Sequence, residues 1–283
     1  MFICRFNDDR LGVIHDGHVV DVTSALASLP SYSYPLPSHD VLIANLSSLR
    51  PWLERACVNG LRYPLANVDL LSPVANPGKI MAAPVNYADH LSEARDTSEV
   101  NHGRRIDEIQ KVGLFLKAGS SLQGAARGVQ IAQPERRTDH ELELVVIIGK
   151  TGRHVSRADA HEYIAGYSIG LDMTVRGTEE RSMRKSIDTY SVVGPWLATP
   201  DEIRDPGNLD MSLQVNGDLR QKANTRDLLM DIGALVEFAT SFYSVHPGDL
   251  LFTGTPAGVG PVKPGDTITA TIAEIGTLNV QVS

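Results

Sequence analysis

Glu141 and Glu143 stand two residues apart at the head of the run Leu142–Ile148 (LELVVII), which holds neither glycine nor proline. Side chains alternate faces along a strand, so both carboxylates point the same way. The rest of the run is apolar enough to be buried. Two ionised carboxylates in a dry site repel each other and lose hydration. A hard divalent cation removes both problems, and oxygen-only ligands suit Mg²⁺, Mn²⁺ or Ca²⁺ rather than zinc. Asp172, directly after the apolar run Tyr167–Leu171, is the expected third ligand if the two strands are neighbours. The competing reading leaves the pair facing solvent and Asp172 capping a turn.

The segment Asn86–Ala94 reads NYADHLSEA. Asn86 is the expected N-cap of a helix, with Asp89 in its first turn. His90 and Glu93 then share one helix face at i,i+3. A carboxylate beside an imidazole orients it and makes a general base for water or for a C–H proton; the alternative is a solvated surface pair. Further along, Arg181–Tyr190 (RSMRKSIDTY) offers Lys185 to a substrate carboxylate or a developing oxyanion, unless it is an ordinary basic face. The loop Thr253–Gly260 (TGTPAGVG) presents backbone N–H groups at its glycines, which suit a carboxylate. It lacks the Lys-Ser/Thr ending of a phosphate-binding loop, so nucleotide binding is not expected. None of the other histidines is expected to be a ligand; His140 falls on the strand face opposite Glu141.

The elements that must carry these residues follow from composition and punctuation. The chain has 283 residues, 42% hydrophobic and 21% charged, which supports a large buried core. A net charge of −8, without a basic block, argues against nucleic-acid and anionic-membrane partners. Only Cys4 and Cys57 are present, outside any CxxC pattern, so a cytoplasmic protein with reduced thiols is expected. No apolar run approaches the ~20 residues of a membrane span. Residues 1–72 read as a small N-terminal α/β unit with a hairpin at Asp16-Gly17 and helical pieces around Leu42–Leu49 and Pro51–Asn59. Residues 73–79 read as a Pro/Gly linker. Residues 80–283 read as a strand-rich catalytic unit. A capping box at Ser156 and Asp159 predicts a helix over Ser156–Ala165, ended by Gly166. The polar stretch Ala94–Val112 reads as a mobile loop with a short helix near Ile106–Lys111.

Taken in order, NYADHLSEA, GLFLKAGSSLQG, DHELELVVIIGK, AGYSIGLDMTVRG, RKSIDTYSVVGPW and LFTGTPAGVG resemble the fumarylacetoacetate hydrolase family over residues 78–283. The resemblance implies an α+β, mostly β fold, a mixed β roll or sandwich around a metal, usually in a homodimer. It implies Mg²⁺ or Mn²⁺ on Glu141, Glu143 and Asp172, and His90 and Glu93 as a catalytic dyad on a helix that orders with substrate. Lys185 matches the active-site lysine, and Thr255 a substrate-carboxylate contact. Arg176 matches an arginine four residues after the metal aspartate. Tyr87 and Gly254, flanking matched positions, are also expected at the substrate. Two departures bear on substrate choice: Gly177-Thr178-Glu179 follows Arg176 where the family often has Asp and then Gln, and Lys117-Ala-Gly-Ser120 lacks the usual prolines. The chemistry implied is hydrolysis of a C–C bond in an acylpyruvate or related 1,3-dicarbonyl acid by water activated at His90, with residues 94–112 closing as a lid. Decarboxylation of a β-keto acid such as oxaloacetate and isomerisation of an unsaturated keto or hydroxy diacid remain alternatives. So does a metal-stabilised protein without turnover.

Overall fold

The computed structural model describes residues 1–103 and 105–283. The run Leu142–Ile148 is a strand with those bounds, and all seven residues are buried. Its Val and Ile side chains suit a pleated surface covered on both faces. Leu144 and Val146 pack into one apolar cluster, while Val145 and Ile147 pack into another on the opposite face. The strand pairs antiparallel with Ile164–Asp172 on one edge and with Leu250–Phe252 on the other.

This pairing sits at the centre of a long sheet. Ser191–Ala198 joins beyond Ile164–Asp172, and Ile80–Ala82 and Phe115–Lys117 extend it beyond Leu250–Phe252. The N-terminal strands continue the same sheet, because Phe2–Phe6 pairs with Ser191–Ala198. Asp16 and Gly17 both have positive φ, 48° and 72°, as a tight hairpin turn between twisted strands requires. A four-stranded sheet (Asp218–Asn224, Asp210–Val215, Thr267–Ile272, Gly276–Gln281) lies outside this path. Its Leu213, Ile268 and Leu278 share a core with Leu144 and Leu171 of the long sheet and with Leu235 and Val236 of the helix Ile232–Phe242. The expected mixed, mostly β architecture is therefore what the chain adopts. Among the described residues no helix is long and apolar enough to cross a membrane, and both cysteines are free thiols.

Several local expectations are corrected. Ser156–Ala165 is not an α-helix. Ser156 Oγ does donate to Asp159 Oδ2 at 2.7 Å, but this box heads only a 3₁₀ turn at Ala160–Tyr163. The strand Ile164–Asp172 claims the remaining residues, including Gly166, where a Cβ would lie 2.4 Å from the Ala198 carbonyl oxygen. The helical pieces of the N-terminal unit are Val41–Ala44 and Leu46–Asn59. The second runs through Pro51, because Leu49 and Leu53 on either side of it are both buried in the N-terminal core. The short helix of the polar stretch is Ile109–Val112, anchored by fully buried Ile109, and is preceded by Ser98–Asn101. Arg104, within that stretch, lies outside the described residues.

Candidate metal centre and active site

The strand register assembles the three carboxylates. Leu142 faces Leu171 and Glu143 faces Gly170. One step further sets Glu141 opposite Asp172, whose N–H donates to the Glu141 carbonyl at 2.9 Å. Directly opposed residues share a sheet face, and so do residues two apart on one strand. Oxygens of Glu141, Glu143 and Asp172 consequently lie within 4.8 Å of one another, and all three residues are buried. Gly170 is required here, because a Cβ at that position would meet Val145 Cγ2 at 2.4 Å.

Cations answer part of this charge. The Lys185 ammonium donates to Glu141 Oε2 at 2.6 Å, to Asp172 Oδ2 at 2.8 Å and to Thr174 Oγ1 at 2.6 Å. Lys117 donates to Asp172 Oδ1 and, at 2.7 Å, to the Tyr190 carbonyl. Burial pushes its ammonium below the ordinary lysine range, against the pull of Asp172. Arg176 bridges Asp139 Oδ2 at 2.8 Å and Glu141 Oε1 at 2.9 Å. Burial would raise the Glu141 carboxyl, but the Lys185 ammonium and then the Arg176 guanidinium hold it down at about 2. Glu143 is treated differently. No described cation bonds it, and its Oε2 accepts the Gly254 N–H at 2.6 Å. Burial first, then Asp172 and Glu141, push its carboxyl well above the usual range. A buried all-oxygen donor set with one such carboxyl fits a hard divalent cation, which would relieve the repulsion that the lysines leave.

A stability test follows from the sign of that shift. A carboxyl whose folded pKa is raised costs stability progressively as pH climbs above the unfolded value near 4.5. Glu143→Gln, which keeps the shape without the charge, is expected to raise the melting temperature of the EDTA-treated protein at neutral pH by about 2–4 °C. The same variant should lose the thermal protection that added Mn²⁺ gives the wild type. A lower melting temperature in EDTA would mean that Glu143 is not held against its neighbours' charge.

The His–Glu pair forms as the spacing predicts. The helix Ala88–Asp96 carries both residues, and His90 Nδ1 lies 2.9 Å from Glu93 Oε2. Glu93 Oε1 accepts the Gly258 N–H at 3.0 Å, so the dyad is pinned to the same loop that holds Glu143 through Gly254. Asn86 does not cap this helix; Tyr87 occupies the cap position and makes no side-chain cap bond. The Asn86 carboxamide is used elsewhere, donating to the Thr253 carbonyl at 2.8 Å and the Met230 carbonyl at 2.9 Å. Its Oδ1 accepts the Met230 N–H at 2.8 Å.

A family model described as fumarylacetoacetate (FAA) hydrolase C-terminal matches residues 79–283. The chain belongs to the fumarylacetoacetate hydrolase family. It is 56% identical to the maleylpyruvate hydrolase of Aquipseudomonas alcaligenes, over 100% of this chain and 99% of that one. A crystal structure of maleylpyruvate hydrolase from Sphingobium sp. SYK-6, in complex with manganese(II) and pyruvate, is similar with a TM-score of 0.84 and 42% identity, covering 100% of this chain and 98% of that chain. A mitochondrial oxaloacetate tautomerase of Xenopus laevis is 34% identical, over 76% of this chain and 68% of its own length.

This member of the fumarylacetoacetate hydrolase family places the remaining expected residues as follows. Lys185 and Arg176 stand at the carboxylates. Gly254, at φ 102°, approaches so closely that a Cβ there would lie 2.7 Å from Asn86 Cβ. The Thr255 hydroxyl accepts from Gln221 Nε2 at 2.8 Å. Tyr87 is buried with its hydroxyl 3.3 Å from the Met211 sulfur, and burial pushes its phenol above the ordinary tyrosine range. Lys117, Asp139, Thr174 and Gln221 join the site without having been assigned to it from sequence. A lysine ending the short β run Phe115–Lys117 was a usable signal; the others had none.

Proposed function

We propose that this chain hydrolyses a C–C bond of an acylpyruvate, most plainly maleylpyruvate, using Mn²⁺ or Mg²⁺ held by Glu141, Glu143 and Asp172. The observation that carries the reading is the buried three-carboxylate cluster with the oriented His90–Glu93 dyad beside it, in a chain so similar to maleylpyruvate hydrolases over its full length. When bound, the metal supplies Lewis-acid polarisation of the keto acid's oxygens and counters carbanionic charge at bond cleavage. The protein's own residues do the rest. With Nδ1–H donated to Glu93, the His90 Nε2 lone pair takes a proton from water as its oxygen adds to the distal carbonyl. The adduct's oxyanion then re-forms a carbonyl as the C–C bond breaks, which leaves the second acid, and the departing enolate carbon takes back the proton held on His90 to become pyruvate. Lys185 stabilises oxyanion charge once it gives up an acceptor, since its three N–H groups are all used by Glu141, Asp172 and Thr174. Arg176 holds Glu141 in place, and Thr255, Gly254 and Tyr87 flank the keto acid.

The stretch 94–112 acts as the lid. Support for this comes from Glu99, in the helix Ser98–Asn101, whose carboxylate pairs with Arg137, which in turn binds Asp139 Oδ1 at 2.7 Å beside Arg176. The enzyme works in the cytoplasm as a homodimer, in breakdown of aromatic compounds. Its free thiols suit that compartment, and the sheet edge at Phe115–Lys117, with exposed Leu116, suits self-association.

The deciding experiment supplies EDTA-stripped protein with maleylpyruvate, other acylpyruvates and oxaloacetate, adds back Mn²⁺, and identifies products by NMR. Metal-restored pyruvate plus a second acid is expected. Release of CO₂ from oxaloacetate alone would make it a decarboxylase, and isomerised substrate without fragments an isomerase. Silence on every substrate would revive a protein without turnover. Sedimentation as a monomer would remove the dimer.

A further inference from the structure

The strand Asp218–Asn224 is exposed at Leu219, Arg220 and Lys222, yet Gln221 between them is only 1% exposed. Its carboxamide is fully engaged. Oε1 accepts the Leu142 N–H at 3.0 Å and lies 3.2 Å from His140 Nδ1. Nε2 donates to Thr255 Oγ1 at 2.8 Å and to the Pro256 carbonyl at 2.9 Å. The orientation of the amide is not a matter of choice: a backbone N–H only donates and a carbonyl only accepts, so the oxygen must face Leu142 and the nitrogen Pro256.

This fixes the polarity of Thr255. Its oxygen accepts from Gln221, so its own proton must point elsewhere, and no other described residue takes it although Thr255 is 2% exposed. A buried hydroxyl with an unused proton is held ready for an acceptor that arrives from outside. Its neighbour Gly254 donates to Glu143, so Thr255 is one residue along the chain from a direct contact with the carboxylate cluster. At its other end Gln221 grips Leu142, the residue between Glu141 and Glu143.

We propose that Gln221 is a positioning residue: it fixes the Thr255 hydroxyl as a hydrogen-bond donor to the keto acid's carboxylate and ties that donor to the strand carrying Glu141 and Glu143. The inference rests on the reading of Thr255 as a substrate-carboxylate contact. Gln221 touches no substrate itself and acts through Thr255.

The test is a double-mutant cycle on the Mn²⁺-loaded enzyme, comparing wild type, Thr255→Val, Gln221→Met and the double variant. KM, kcat and the inhibition constant of pyruvate are read for each. A hydrogen bond to a charged carboxylate predicts that each single variant raises KM and the pyruvate constant by about tenfold. kcat should stay within about threefold, because ground-state binding is what is lost. The double variant should be no worse than either single one, because both remove the same interaction. Gln221→Glu, of the same shape but with an acceptor facing Thr255, should match Gln221→Met; it keeps the test alive if the Met side chain is not accommodated. If Thr255→Val raises KM while both Gln221 variants leave it unchanged, the positioning role is wrong and the Thr255 contact stands. If Thr255→Val leaves KM and the pyruvate constant unchanged, the Thr255 reading itself fails. Losses that multiply to about a hundredfold in the double variant would show that Gln221 acts independently of Thr255 and overturn the proposal.

Discussion

His90→Ala is expected to lower kcat by about 10²- to 10⁴-fold, the usual worth of a positioned general base, while the protein keeps its metal. The separation follows from position. His90 stands on the helix Ala88–Asp96, and its Nδ1 is spent on Glu93; the three clustered carboxylates that could hold a metal sit on or directly before two adjacent strands. Removing the imidazole therefore takes away the proposed base without removing an oxygen of the carboxylate cluster. Metal content after dialysis against Mn²⁺ and steady-state turnover on the same sample check both halves. Glu93→Gln should show part of the same loss, because Glu93 meets the imidazole with Oε2 and accepts the Gly258 N–H with Oε1, and Gln puts an NH₂, which cannot accept, in the place of one of these oxygens. Normal turnover in His90→Ala would remove the dyad from the mechanism, and loss of Mn²⁺ in that variant would mean that His90 belongs to the metal site.

How much of this was legible from the residues depends on how local the information was. The strand Leu142–Ile148 was readable because an uninterrupted β-prone run leaves little alternative, and the shared face of Glu141 and Glu143 follows from the period of two. The His90–Glu93 contact was readable for the same reason at helical spacing. Asp172 needed one non-local fact, that its strand pairs with theirs; the register then does the rest. Lys117, Asp139 and Gln221 needed more. They come from the segments Phe115–Lys117, Thr138–His140 and Asp218–Asn224, and only the folded sheets bring them to Glu141 and its neighbours. The error at Ser156–Ala165 runs the other way. Its local signal is real and the Ser156–Asp159 bond forms, but the sheet claims Ile164 to Asp172 and leaves room only for a turn. Asn86 is a similar case, a good capping residue drawn off by the carbonyls of Met230 and Thr253.

Glu141→Ala is expected to abolish both metal binding and turnover, with a stability cost that His90→Ala lacks. Glu141 contributes one of the three clustered carboxylates and is also the partner of two buried cations, Arg176 at 2.9 Å and Lys185 at 2.6 Å. Removing one member of a buried ion pair leaves an uncompensated charge, which costs about 3–5 kcal/mol. The cations hold the Glu141 carboxyl down at about 2, so its stabilising contribution is present above the ordinary carboxylate range and is lost as pH falls toward that value. Glu143 has the opposite dependence, and the metal-free protein balances the two. Mn²⁺ at about a hundred times its dissociation constant stabilises the wild type by about 2.7 kcal/mol through mass action alone, and that gain should vanish in Glu141→Ala. Glu141→Gln separates the two effects: it keeps an acceptor toward Arg176, so it should melt closer to the wild type in EDTA, yet it should still lose most Mn²⁺-dependent protection. Stoichiometric Mn²⁺ retained by Glu141→Ala would take Glu141 out of the ligand set and leave it as the counter-charge of Arg176 and Lys185.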